Sequence, residues 1–270
     1  MTRVAPYSAY AGIYDRIGQR AFGERIAGAA LARLAPSLGL PGRAADLACG
    51  TGAATLVLAT AGWRVTGVDR SPEMLGAARL AGAAAGSGAE WLEQDLRDLR
   101  LPERVSLATC FYDSLNYVLE SDDLDKIFAR VADSLVGGGW FVFDLNTRHR
   151  LAEGWDNGLV IVADTDDLLV MYRSWFDPAT DRSPLVMTAF QRDRSGLGQS
   201  WMRFDEEHIE RAYPLDDVEA MLDRNGVPTV ECLAYDDRTH RFVGPASEAS
   251  ERAVYFARKR SYPPPIEPAK

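Results

Sequence analysis

Asp46-Leu-Ala-Cys-Gly50-Thr-Gly52 closes a short apolar run, residues 44–48, and leads straight into a helical stretch, residues 53–61. A strand that ends in a glycine turn and opens a helix is half of a βαβ unit. It lets backbone come close to a ligand and points the unpaired N–H groups of a helix N-terminus at it. Outward from that turn, residues 42–143 alternate short apolar runs with helical stretches, the pattern of a parallel sheet with crossover helices. Residues 64–68 read as the second strand. Ser71-Pro72-Glu73 then opens a helix, with Ser71 as N-cap and Pro72 at its first position, that runs to the break at Gly86-Ser87-Gly88. Strands are expected at 89–93, 105–111 and 140–145, with a helix over 122–135 and a turn at Gly137-Gly138-Gly139.

From about residue 160 to 209 the texture changes to LLVMYRSWF, PLVMTAFQRD and QSWMRFDEEHIE, separated by Asp-Pro, Ser-Pro and Ser-Gly-Leu-Gly turns, which predicts antiparallel strands. A helix over 214–224, closed by Asn225-Gly226, and strands at 229–234 and 252–258 resume the earlier pattern. The fold class is α/β: a doubly wound, mostly parallel seven-stranded sheet with an antiparallel β insertion after the fifth strand. The tail YPPPIEPAK reads as a loose polyproline end.

Asp69 ends the second strand, seventeen positions beyond Gly52, where a carboxylate can accept hydrogen bonds from ribose hydroxyls. The first two strand ends therefore frame a nucleoside site. A dinucleotide fingerprint would place a third glycine at position 55, where this chain has Thr55, and the loop has no evident cation for a pyrophosphate. A ligand whose amino group can use Asp46 fits better.

With these residues in order, the chain resembles the class I S-adenosylmethionine (SAM) dependent methyltransferases, a Rossmann-like family, through DLACGTG followed by VTGVDRSPEML. The resemblance implies SAM as cofactor and S-adenosylhomocysteine as product. It implies that Ala48, Gly50 and Gly52 meet the methionine half, that Asp69 binds the ribose, and that Arg70 and Met74 pack the adenine. Asp95 and Leu96, in Gln94-Asp95-Leu96, fall where the adenine amino group is met. Phe111, Asp113, Asn116 and Tyr117 lie in the run CFYDSLNY after the fourth strand, which borders the transferred methyl group. YSAYAGIYDRI is similar to the N-terminal lid of glycine and amino-sugar N-methyltransferases, so Tyr14 and Tyr7 become candidates for contact with cofactor or substrate. The same tyrosines could instead cover a core. The implied organisation is a helical lid over 1–40, a SAM-binding core over 41–150, a β insertion over 151–212 that caps the substrate, the rest of the core over 213–260, and a tail over 261–270.

Asp113, at the carboxyl edge of the sheet, could orient a substrate amine or accept its proton. Asp113 with Asp144 and Asn146 also resembles the metal ligands of catechol O-methyltransferases. An extended backbone there turns Asp144 away from its neighbour Leu145, however, and no metal is assigned. His208 and His240 could act as bases near neutral pH, although isolated histidines more often cap or decorate a surface. Trp155, Trp175 and Trp201, with Met171, Met187 and Met202, either pack a core or form an aromatic lid; Trp175 and Trp201 are the substrate-binding candidates.

The whole chain has 270 residues, 47% of them hydrophobic and 26% charged, an ordinary globular composition. Its net charge of −9 would repel a phosphate backbone, and the Pro-Pro-aromatic signature of nucleic-acid amino methylation is missing after the fourth strand, so a small molecule is the expected partner and nucleic acid is not. No apolar run is long enough for a membrane span and no signal peptide is visible, so the protein is expected in the cytoplasm, as a monomer or homodimer. Cys49, Cys110 and Cys232 are too scattered for disulfides or zinc. Within enzymes the alternatives are an aminopropyl transferase or an NAD-linked oxidoreductase on a similar sheet. Outside enzymes the alternative is a catalytically silent binding subunit.

Overall fold

The computed structural model describes residues 6–154, 158–193 and 200–261, and the backbone of residues 3–4; Trp155, the Ser-Gly-Leu-Gly turn and the polyproline tail lie outside them. The chain begins with β1 (Arg3–Val4), two 3-10 turns (Tyr10–Gly12 and Asp15–Ile17) and α1 (Gln19–Leu34). There follow β2 (Arg43–Leu47), α2 (Ala53–Thr60), β3 (Arg64–Asp69), α3 (Pro72–Ala85), β4 (Glu90–Glu93), β5 (Val105–Cys110), α4 (Ser121–Ser134) and β6 (Leu135–Asn146). Four strands, β7 (Leu159–Thr165), β8 (Leu168–Ser174), β9 (Arg182–Arg192) and β10 (Trp201–Arg211), precede α5 (Leu215–Arg224), β11 (Thr229–Asp236), β12 (Arg241–Pro245) and β13 (Arg252–Arg258).

The main sheet has eight strands in the order β12-β11-β13-β6-β5-β2-β3-β4. From β4 to β6 the pairs are parallel, and β13 runs antiparallel to both β6 and β11. All seven expected strands are present, and the sheet is doubly wound. One face packs Ile26 of α1 and Leu58 of α2 against Leu107, Trp140 and Phe256. The other packs Phe128 of α4 and Val218 of α5 against Phe141, Phe143 and Tyr255. The eighth strand, β12, is a correction: Asp236 accepts N–H bonds from Arg238 and Thr239, and the hairpin it makes folds back onto β11. Gly137-Gly138-Gly139 is not a turn before a short strand either. β6 starts at Leu135, and the glycines form a bulge against β5, held by Gly138 N–H to Lys259 O and Lys259 N–H to Gly139 O.

The insertion forms a second sheet, β1-β10-β9-β8-β7, in which β7 to β10 pair antiparallel. Residues 3–4, expected within a helical lid, instead pair parallel with β10, Arg3 opposite Asp205. Tyr10 and Ile13 bury themselves against Leu168, Val170, Met187 and Ala189 of this sheet. Among the described residues no helix is long and apolar enough to cross a membrane.

One packing detail anchors the edge of the main sheet. The indole of Trp91 on β4 lies in a slot made by three glycines: a Cβ on Gly52, Gly67 or Gly82 would come within 2.7, 2.6 and 2.9 Å of the ring. Gly67→Ala should therefore destabilise the protein by about 1–3 kcal/mol through overpacking, read as a lower midpoint in urea, and Trp91→Leu in the same chain should recover part of the loss.

Candidate active site

The glycine turn owes its shape to two buried carboxylates. Asp46, at the end of β2, is 1% exposed and accepts from the hydroxyls of Thr55 (2.7 Å) and Thr109 (2.9 Å). Thr55 thus replaces the third glycine of a dinucleotide loop with a donor to Asp46. Burial pushes the Asp46 carboxyl up to about 6 while the two hydroxyls oppose the rise. Asp69, at the end of β3, accepts N–H bonds from Gly50 and Ser71, each at 2.8 Å, and so ties the turn after β2 to the turn that starts α3. Burial raises its carboxyl too, against those N–H groups. Ala48, Gly50 and Gly52 take φ of +50°, +54° and +85°, and the N-terminus of α2 has no side-chain cap.

Around this turn lies a cavity of about 750 Å³ lined by Asp46, Ala48, Gly50, Asp69, Arg70, Met74, Asp95, Leu96 and Phe111, all expected from the sequence. Gly52 is the exception among the loop residues: it does not face the cavity but makes room for Trp91. Asp95 stands on the wall, yet its two oxygens are held by the Arg97 guanidinium at 2.9 and 2.7 Å, which keeps its carboxyl below the usual range. The cavity wall carries six carboxylates, Asp46, Asp69, Glu73, Asp95, Glu120 and Asp123, against two guanidiniums, Arg70 and Arg97. That lining suits a cationic sulfonium with an amino group and ribose hydroxyls, and it repels a pyrophosphate. SAM fits this donor set.

A second cavity of about 240 Å³ adjoins the first. Tyr7, Tyr14, Gln19, Tyr112 and Tyr117 line both and form the wall between them. The rings of Tyr7, Tyr10, Tyr14, Tyr117 and His208 form one cluster, mostly edge to face, with Tyr7 stacked on Tyr10. Burial pushes the hydroxyls of Tyr7 and Tyr14 well above their ordinary range, so they stay protonated and act by hydrogen bonding, not as phenolate bases. Asp113 lines the second cavity but is no free base: the Arg252 guanidinium lies 3.0 Å away, opposing the upward push of burial. Arg252, 2% exposed, also binds Asp144 and Asp237. Asp113 and Asp144, weighed above as metal ligands and not assigned, share an arginine.

Three substrate candidates are not brought to the site. Asn116 is 0% exposed and fully used as a clasp: its amide donates to Asn146 O and Arg211 O and accepts from Asn146 N. Trp201 stacks with Arg192 at the far end of β10, some 23 Å along the strand from His208. Trp175 lies past the end of β8, 43% exposed.

The residues missed are Glu206 and Glu210 on β10, on either side of His208, which the sequence offered as a possible base. The three alternate into the interior at 0, 4 and 1% exposure. Glu206 accepts N–H bonds from Tyr7 (2.7 Å), Ala9 (2.9 Å) and Tyr10 (2.8 Å), pinning the tyrosine segment to the insertion. His208 lies with Nε2 3.3 Å from Glu206 Oε2 and Nδ1 3.3 Å from the Tyr117 hydroxyl. The signal was the spacing E-x-H-x-E in DEEHIE, with polar groups at every second position of a strand.

Residues 44–139 match the family described as methyltransferase domain. YqeM of Bacillus subtilis (strain 168), whose name ascribes it to the methyltransferases, is 29% identical over 256 residues, which span 94% of this chain and 97% of that protein. The crystal structure of a SAM-dependent methyltransferase from Clostridium acetobutylicum ATCC 824 superposes with a TM-score of 0.80 at 29% identity, covering 94% of this chain and 99% of the other. SAM-bound CalS10 of Micromonospora echinaspora, an amino pentose methyltransferase, shares the fold at a TM-score of 0.69 and 17% identity, over 93% of this chain and 97% of its own. Residues 44–139 thus carry a methyltransferase domain, and the chain is similar over nearly its whole length to SAM-dependent methyltransferases.

Because the folded protein holds the Asp46 proton more tightly than the unfolded chain, this group stabilises the fold at low pH, and the contribution is lost as pH rises from about 4 to about 6. Asp46→Asn should raise Tm relative to wild type at pH 7–8, the gain fading to nothing near pH 4, while SAM affinity falls. Thermal unfolding across that range, paired with titration of SAM, checks both.

Proposed function

We propose that the chain transfers the methyl group of SAM to a small-molecule acceptor, at nitrogen or oxygen, with the acceptor in the 240 Å³ cavity. The observation that carries the reading is the shared wall: a cavity suited to the cofactor and a smaller polar one meet at Tyr7, Tyr14, Tyr112 and Tyr117. When bound, SAM supplies an electrophilic methyl on a sulfonium, so the protein needs no nucleophile of its own.

What the chain contributes is alignment and exclusion of water. Asp46 and Asp69 set the cofactor end. The buried tyrosine hydroxyls orient the acceptor at the wall. Tyr117, His208 and Glu206, at 3.3 Å per step, form a line along which a proton from the acceptor can leave. The N-terminal segment and the insertion serve as the lid, joined by Glu206. The fold shared with CalS10, an amino pentose methyltransferase, supports a nitrogen acceptor.

The six-to-two excess of carboxylates on the cofactor wall argues against an NAD-linked reaction. The intact turn, with Asp69 bridging its two halves, argues against a silent subunit. Calorimetric titration should give micromolar binding of SAM and S-adenosylhomocysteine and none of NAD. A screen of small amines and phenols with radiolabelled SAM should then yield a methylated product. NAD binding alone would overturn the reading, and SAM binding with no acceptor of either kind turning over would return the chain to a binding role.

A further inference from the structure

The second cavity holds a carboxyl group that no cation matches. Its ionisable lining comprises the carboxylates Asp113, Glu210 and Asp237, the guanidiniums Arg150 and Arg252, and His208. Arg252 is matched by Asp113 and Asp237 on this side and by Asp144 behind it. Arg150 is matched by Glu251 at 2.7 Å and Asp237 at 3.7 Å. Glu210 meets neither guanidinium in an ion pair; its Oε2 takes the Asn146 amide at 2.9 Å, and its Oε1 is buried beside the Asp113 carboxyl with no N–H donor. One more buried polar atom without a partner, Arg150 Nε, belongs to a residue lining this same cavity. A carboxylate oxygen 1% exposed and without a donor costs the fold free energy unless something in the cavity donates to it.

We infer that Glu210 is the recognition residue for an ammonium group of the methyl acceptor, which is an amine-bearing, polyhydroxylated small molecule. The inference rests on the proposed small-molecule transfer and names its substrate class. The unmatched carboxylate selects one positive charge. The aromatic rings of Tyr7, Tyr10 and Tyr117, which line the same cavity, favour a cation over a neutral group. The hydroxyls of Tyr7 and Tyr14 and Arg150 Nε supply donors and acceptors for hydroxyl groups, while Gln19 is held by Tyr112 and Tyr172. Burial and the neighbouring Asp113 carboxyl push the Glu210 carboxyl well above its ordinary range, so an arriving free amine can also take its proton and form the same ammonium–carboxylate pair.

The test is a thermal-shift and calorimetric titration of the full chain, saturated with S-adenosylhomocysteine. The probes are glucosamine and ethanolamine, set against glucose and ethylene glycol, with potassium chloride at matched ionic strength. Wild type should be stabilised by the two amines and not by the alcohols or the salt. Glu210→Gln, which keeps the shape and removes the charge, should weaken amine binding by roughly 10- to 100-fold without changing affinity for S-adenosylhomocysteine.

Equal binding of amines and alcohols, an equal effect of potassium chloride, or unaltered amine affinity in Glu210→Gln would each overturn the assignment. So would amines that leave wild-type Tm unmoved, the outcome expected if the free Oε1 is satisfied by a proton shared with Asp113. If Glu210→Gln does not fold, the amine-over-alcohol selectivity of wild type decides alone. Methyl transfer separates the two readings. Amines that bind through Glu210 but are never methylated would sink the nitrogen acceptor and leave the ammonium site standing. Hydroxyl compounds methylated as well as amines would sink the ammonium site and leave small-molecule transfer standing.

Discussion

The Asp69 carboxylate is the constraint from which the cofactor shelf is built. It takes one N–H from Gly50 and one from Ser71, so the turn after β2 and the start of α3 cannot move apart without baring two donors and a buried charge. Everything along the carboxyl edge of the sheet is spaced from that pair. Ala48 and Gly50 can take left-handed backbone beside the cavity because Asp69 holds the loop from behind. The Trp91 slot fixes the neighbouring edge strand against the same turn, through the hydrogens of Gly52 and Gly67.

The second half of the site is organised by a different carboxylate. Glu206 comes from the insertion, yet its partners are backbone groups near the N-terminus, almost two hundred residues away in sequence. It gives the tyrosine segment a defined place without any regular helix, in a stretch whose only secondary structure is two 3-10 turns. Both cavities therefore depend on buried acids whose chief partners are main-chain N–H groups, and both shapes are set by backbone before any ligand arrives.

The α/β core was legible because its signals are local: a glycine turn after a strand, Ser71 and Pro72 at a helix start, Asn225 and Gly226 at a helix end. The three glycines before β6 misled, since their role depends on backbone partners at Lys259, far along the chain. β1 and β12 are short and take their pairing from strands already in place. Within the site, the types and order of Asp46 and Asp69 could be read, but their partners could not: Thr55 and Thr109 arrive from α2 and β5. On β10 the usual assumption, apolar inward, pointed the wrong way. The buried face there is Glu206, His208 and Glu210, and the tryptophans chosen for their size lie outside the cavity.

The Glu206 clasp also bears on how the interior is reached. Three backbone N–H groups converge on one carboxylate, each bond of a kind worth roughly 1.5–3 kcal/mol when an acceptor is charged. They sit within four residues of one another, so a displacement that breaks the first strains the other two. The tyrosine wall is in this sense a latch with a single bolt. Its three anchors are kept or lost together, so the segment is held as one unit whatever the looseness of any one ring.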